Sequence, residues 1–256
     1  MTDILISTEQ GVTTLTFNRL EKKNSFVPES YRELATALQS AASDPEVRVV
    51  VLQGDETIFS AGNDLSDFAE SPPSGEGAPV WDFLIALVDF PKPLIAAVCG
   101  PAIGVGTTML LHCDLVYLGE NAKLMLPFTS LGVCPEAGSS LLLPQFVGPR
   151  RAAEIFYFDE AILPEEALRV GLVNKVLPVE EVSAYAQAQA RRLAERPRTS
   201  ILETKRLLKQ SQRQALYDQM QLESEAFTAL LRGPAAREAF TAFFERRSPD
   251  FRSVGE

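Results

Sequence analysis

Histidine is almost missing from this 256-residue chain, which carries His112 alone. A single histidine argues against a His-based metal site, and no metal is expected. A Ser-His-Asp arrangement would have to use His112, yet no Gly-x-Ser-x-Gly turn accompanies it. A structural role at a buried helix end is expected instead. Cysteine is scarce too: Cys99, Cys113 and Cys134 are too few and too widely spaced for a disulfide framework, which points to a reducing compartment and to small buried hydrophobes. Basic residues are in deficit, 24 against 34 acidic ones for a formal net charge of −10, so the whole-molecule field repels polyanions and disfavours a general nucleic-acid grip. Gly104-Val-Gly106 lacks the third glycine of a dinucleotide fingerprint, and no Gly-Lys-Ser or Gly-Lys-Thr phosphate loop comes after it. Met1-Thr-Asp-Ile does not open a secretory signal and Val-Gly-Glu256 is no peroxisomal address, so a cytoplasmic location is expected. One stretch, Leu94 to Leu111, runs 18 residues without charge. Gly100, Pro101, Gly104 and Gly106 break it, so it reads as strand, turn and helix start in a buried core and not as a membrane span.

What is present is hydrophobic patterning of two periods. Ile4-Leu-Ile and Val12-Thr-Thr-Leu-Thr-Phe17 are β-rich runs around Thr8-Glu-Gln-Gly11, a hairpin pattern. Pro28 opens a helix on which Tyr31, Leu34, Ala35, Leu38 and Ala41 recur at helical spacing until Asp44-Pro45. Val47-Arg-Val-Val-Val-Leu52 is a strand apolar on both faces, as in a covered parallel sheet. Further strands are expected at Leu94–Val98, Leu115–Leu118, Lys123–Leu126 and Leu172–Val176. Helices are expected over Val105–His112, Glu165–Val170 and Val179–Glu195. After Arg196-Pro197 the pattern becomes wholly helical, with Thr199–Gln210, Ala215–Leu231 and Pro234–Arg246. Strands alternating with helices make an α/β fold. Glu70 to Pro79 is rich in Pro, Gly and Ser and reads as an exposed loop, either over a site or as a plain connection.

With metals and nucleotides set aside, backbone donors and carboxylates remain. Ile103-Gly-Val-Gly106 feeds an apolar strand into a helix whose first N–H groups lack intrahelical partners, which suits an oxyanion. Phe59-Ser-Ala-Gly-Asn-Asp-Leu65 is a second small-residue turn, with Asp64 placed to cap the next helix. Two such turns face to face could hold one oxygen between two N–H groups; tight packing alone explains the same glycines.

Asn18-Arg-Leu-Glu-Lys-Lys-Asn24, Phe59-Ser-Ala-Gly-Asn-Asp-Leu65, Lys92-Pro-Leu-Ile-Ala-Ala-Val98, Gly100-Pro-Ala-Ile-Gly-Val-Gly106, Cys113-Asp-Leu-Val-Tyr117 and Ala167-Leu-Arg-Val-Gly-Leu-Val173 resemble, in order and spacing, the signatures of the crotonase (enoyl-CoA hydratase/isomerase) superfamily. The resemblance implies a spiral of ββα units over residues 1–196 with an acyl-CoA site, and a C-terminal helical trimerisation region over 197–256. It implies a homotrimer or dimer of trimers, an acyl-CoA substrate whose coenzyme A is its own, and no separate cofactor. Carried over by motif, the oxyanion donors are Ala61 and Val105. Lys22, Phe59, Asn63, Asp64, Leu65, Gly104, Thr108 and Phe128 fall at substrate-binding positions.

The hydratases of this family place one glutamate in the helix after the glycine turn and another after a proline some twenty residues on. Here those positions hold Thr108 and Phe128. Leu131-Gly-Val-Cys-Pro-Glu-Ala-Gly-Ser-Ser140 is instead similar to a stretch of peroxisomal-type Δ3,Δ2-enoyl-CoA isomerases whose glutamate is the single catalytic base, which makes Glu136 the candidate. Moving a double bond requires one carboxylate, whereas hydration commonly shares the work between two. Threonine could still hold a water through its hydroxyl. Trp81, Phe83 and Leu84 are candidates for the acyl pocket or for the core. Arg191 to Arg213 gathers eight basic residues against two acidic ones, which fits phosphates, a neighbouring subunit or plain solvated helix faces; it is also the one feature that suits a non-catalytic RNA-binding homologue.

Overall fold

The first two β-rich runs pair as a hairpin, β1 (Ile4–Glu9) and β2 (Val12–Phe17), in the computed structural model, which describes residues 2–66 and 77–254. The reversal rests on Gln10 and Gly11, whose φ values of 51° and 77° give the twist a two-residue hairpin loop requires. Proline at the first position opens α1 (Pro28–Ser43), and the five apolar residues at helical spacing are all buried.

β3 (Val49–Gln53), β4 (Leu94–Val98), β5 (Pro101–Ile103), β6 (Leu115–Gly119), β7 (Lys123–Met125) and β8 (Lys175–Leu177) complete two sheets. The larger has the order β1-β2-β3-β4-β6-β8, antiparallel at the hairpin and parallel across every other pair. β5 and β7 form a small parallel sheet of their own. Strand alternation divides the core: Val50, Leu52, Leu94, Ala96 and Val98 join one apolar cluster, while Val49, Val51, Ile95 and Ala97 join another. The first is covered by α1 and by α2 (Pro79–Val88), which pack on each other; the second by Val182, Ala186 and Ala190 of α7 (Val182–Ala194). A strand buried on both faces must be apolar at every position, which is why its sequence shows no alternation.

Between these lie α3 (Val105–Thr108), α4 (Ser139–Val147), α5 (Pro149–Phe158) and α6 (Pro164–Arg169); after them come α8 (Arg198–Gln210), α9 (Arg213–Leu231) and α10 (Pro234–Glu245). The helix expected over Val105–His112 is α3 followed by a tighter 3-10 turn from Met109 to His112. The strand expected from Leu172 begins only at Lys175, because the N–H groups of Leu172 and Val173 instead close the end of α6 on the Ala167 carbonyl. Sequence periodicity did not mark α2, α4 or α5. α4 contains Pro144, and Gly148-Pro149 separates it at once from α5. The Pro-Gly-Ser loop falls largely outside the described residues.

The uncharged run from Leu94 is buried strand, turn and short helix, and no helix among the described residues is long and apolar enough to cross a membrane. The basic stretch turns partly inward. Lys205 Nζ donates to the Lys92 carbonyl (2.6 Å) and pairs with Asp114 (2.7 Å), and Lys209 Nζ donates to the His112 carbonyl (2.6 Å). Arg213 pairs with Asp89 (2.6 Å). These cations tie the C-terminal helices to the core.

Candidate active site

Parallel strands deliver their loops to one edge, and at the edge beyond β3 and β4 two chain reversals meet. Phe59 and Ser60 N–H groups both donate to the Pro101 carbonyl (3.1 and 3.2 Å), and Ile103 N–H returns a bond to Ser60 O (2.9 Å). Gly62, at φ +81°, comes so close to this strand that a Cβ would lie 2.6 Å from the Ile103 carbonyl oxygen. Asn24 braces the seam from below. Its buried amide donates to the Ile58 and Phe59 carbonyls and accepts Arg19 N–H (2.9 Å). Ser60 Oγ donates to the Asn24 carbonyl (2.8 Å) while accepting Gly62 N–H (3.0 Å).

This stitching decides which N–H groups stay available. Ala61, expected as an oxyanion donor, is not: its N–H is donated to the Lys23 carbonyl at 2.9 Å. Two residues on, Asn63 N–H has no hydrogen-bond partner among the described residues, and neither has Val105 N–H at the first position of α3. Both residues line one cavity of about 610 Å³, a volume suited to a small organic ligand.

Lys22, Asp64, Leu65, Gly104 and Phe128 line that cavity, as does Lys23. Two other expected site residues do not. Phe59 is fully buried and stacks edge-on against Phe17 in the core. Thr108 is fully buried too, and its hydroxyl donates to Glu136 Oε1 at 2.6 Å. Threonine therefore holds the carboxylate. Asp64 is engaged by Arg19 at 2.9 Å, which leaves Glu136 as the lining carboxylate without a cationic partner among the described residues. Of the aromatic trio, Phe83 is core, whereas Trp81 and Leu84 line a second, smaller cavity that Glu136 and Asn63 share with the first.

Glu136 stands on the turn before α4, with Ala137 and Gly138 both left-handed at φ 59° and 72°. Burial among apolar groups pushes its carboxyl from the ordinary 4.5 to about 7; the Thr108 hydroxyl pulls it down and the negative Glu223 raises it further. Tyr31, whose hydroxyl donates to Asn63 Oδ1, is raised by burial and by Glu136. His112 is structural, as expected. Its Nε2 lies 2.8 Å from the Ala137 carbonyl, and burial first, then Lys209, pushes it down to about 4, so the ring is neutral and donates. Burial also lifts the three thiols: Cys99 and Cys134 to about 11 and Cys113 to about 12. Among the described residues no cluster of three or more His, Cys, Asp or Glu could hold a metal.

A carboxyl easier to protonate in the folded chain than in the unfolded one stabilises the fold below its unfolded pKa, and that contribution is lost as pH rises through the folded value. Glu136→Gln should therefore match the parent near pH 4.5 and exceed it above pH 7 by up to roughly 3 kcal/mol. Urea unfolding at both pH values checks this; a parent–variant difference that stays constant overturns it.

Known proteins share this architecture. A profile of the family described as enoyl-CoA hydratase/isomerase matches residues 7–254. The chain is 35% identical over 256 residues to 2,3-dehydroadipyl-CoA hydratase of Escherichia coli (strain K12), covering 98% of this chain and 99% of that one. It is 33% identical over 221 residues to enoyl-CoA delta isomerase 2 of Homo sapiens, covering 84% of this chain and 56% of that protein. A crystal structure of enoyl-CoA hydratase/isomerase from Pseudoalteromonas atlantica T6c superposes with a TM-score of 0.93 at 37% identity, covering 97% and 99% of the two chains. The expected crotonase fold is thus the fold observed, and the chain belongs to the enoyl-CoA hydratase/isomerase family of the crotonase superfamily.

Proposed function

We propose that this acyl-CoA enzyme is a Δ3,Δ2-enoyl-CoA isomerase. The observation that carries the reading is the position of Glu136: among the described residues, one carboxylate of raised proton affinity with no cationic partner faces a cavity that also contains two backbone N–H groups without a hydrogen-bond partner. Phe128 puts a phenyl ring in the cavity wall at the position where the family's hydratases carry a second glutamate. A dry wall of this kind suits an anionic intermediate that water would divert.

The reaction then needs one proton and no cofactor beyond the coenzyme A of the substrate. Glu136 removes a proton from C2 of a 3-enoyl thioester, and the electron pair spreads over a dienolate whose oxygen is held by the Asn63 and Val105 N–H groups. The same proton is returned to C4, which leaves the double bond between C2 and C3. A base near pH 7 can both take and give back a proton. Lys22 and Lys23, at the same cavity, suit the phosphates of coenzyme A.

The test is a comparison of kcat/KM for 3-enoyl-CoA isomerisation and 2-enoyl-CoA hydration on acyl chains of equal length. Isomerisation should dominate, with an acid limb near pH 7, and Glu136→Gln should lower kcat by at least ~10²-fold. Hydration equal to or faster than isomerisation would replace this reading with a hydratase.

Val105 offers a test of the donor pair, since proline is tolerated at the first helical position but has no N–H. Val105→Pro should cost about 10²–10³ in kcat, while Val105→Ala, which keeps the donor, should stay within a few-fold. Equal activity in the two variants would dismiss Val105 as a donor.

We also propose a homotrimer or a dimer of trimers. Leu231 and Phe240 are buried within the chain, but Leu207, Leu208, Leu222, Phe243 and Phe244 are each more than half exposed, and copies of the same chain would cover them. Light scattering at micromolar concentration should give three or six times the chain mass, and a monomer would refute the assembly.

A further inference from the structure

α9 carries Leu216, Met220 and Glu223 at i, i+4 and i+7, one helical face, and all three are buried. A carboxylate in that company demands an explanation, because burying a charge without partners is costly. Its partners are the turn on which Glu136 stands. Glu223 Oε2 accepts Gly138 N–H at 2.6 Å, and Oε1 accepts Ser140 N–H at 2.9 Å together with the Ser140 hydroxyl. Gln219, on the same helix, adds an amide donor to Ser140 Oγ at 2.9 Å. Leu216 presses on the turn so closely that a Cβ on Gly138 would lie 2.2 Å from its Cδ1.

We propose that Glu223 is a positioning residue for Glu136: from the C-terminal helical region it clamps residues 138–140 and so fixes where the preceding carboxylate projects. The turn requires such a clamp. Ala137 has φ 59°, a conformation that an L side chain adopts at a cost and keeps only when its surroundings enforce it. His112 fixes the Ala137 carbonyl from one side, and Glu223 fixes the next N–H groups from the other. Glu223 also sets the local field. Among the described residues the titratable groups that interact with Glu136 are Glu223, Tyr31 and Cys134, and Glu223 raises the proton affinity of Glu136 through its negative charge.

The inference rests on Glu136 being the base, and its test separates that premise from the clamp. In the full-length chain, Glu223→Gln keeps the size but sets an amide N–H₂ against a backbone N–H and removes the charge. Expected are a kcat about tenfold lower or less, KM within about threefold, and an acid limb of kcat/KM shifted below that of the parent. Glu223→Asp keeps the charge but shortens the reach, so kcat should fall while the acid limb stays in place. Unchanged kcat in both variants, or a Gln variant whose acid limb does not move, overturns the proposal; should the Gln variant fail to fold, unchanged kcat in the Asp variant does so alone. The assay is run on 3-enoyl and 2-enoyl thioesters alike, so a faster hydration counts against the isomerase reading and not against the clamp. A second readout needs no substrate. The gain in stability from Glu136→Gln above pH 7 should shrink when Glu223→Gln is already present, and an undiminished gain would sink the electrostatic part.

Discussion

Everything in the site hangs on a backbone seam between two reversals, residues 58–63 and 101–105. Hydrogen bonds from Phe59, Ser60 and Ile103 close it, and the side chains of Asn24 and Ser60 satisfy what the seam leaves over. Because nearly every buried polar group there has a partner, the N–H groups of Asn63 and Val105, which have none among the described residues, are conspicuous. Glycine at 62 results from the same constraint, since the approach to Ile103 leaves no room for a Cβ. Fixed backbone donors of this kind need no reorganisation when negative charge develops beside them, which is what gives them their leverage.

The second element of the site obeys opposite physics. Where the seam saturates its polar groups, the Glu136 turn maintains a carboxylate in surroundings that disfavour its charge. The Thr108 hydroxyl and the Glu223 charge pull its proton affinity in opposite directions, and burial dominates both. α3 links the two halves: its first residue offers an N–H to the cavity and its last offers a hydroxyl to Glu136. The Val105 N–H and the Glu136 carboxyl are thereby held at the two ends of one helical turn.

Much of this was legible in the sequence. Uninterrupted apolar runs such as Val49–Leu52 and Leu94–Val98 announce strands covered on both faces, and the Tyr31-to-Ala41 spacing announces α1. Glu136 could be singled out only through the family resemblance: Thr108 and Phe128 stand where the family's hydratases carry glutamates, and the 131–140 stretch is similar to that of the isomerases. Legibility ended where a role depends on a partner distant in the chain. Ala61 and Asn63 look equally suitable in a small-residue turn, and only the Lys23 carbonyl, 38 residues before Ala61, decides between them. Phe59 could line a pocket or fill the core, and the Phe17 ring opposite it determines which. Glu223 left a trace that could have been used: an acid on the apolar stripe of Leu216, Met220 and Phe227 asks for a buried partner.

Cys134 lies two residues from Glu136, and its thiol is lifted to about 11 by burial first and then by the charge of Glu223, with Glu136 adding a smaller push. At neutral pH roughly one such thiol in ten thousand is ionised, and the thiolate is the reactive form. Burial and the charge of Glu223, which also raise the proton affinity of Glu136, therefore keep this thiol protonated and unreactive as well.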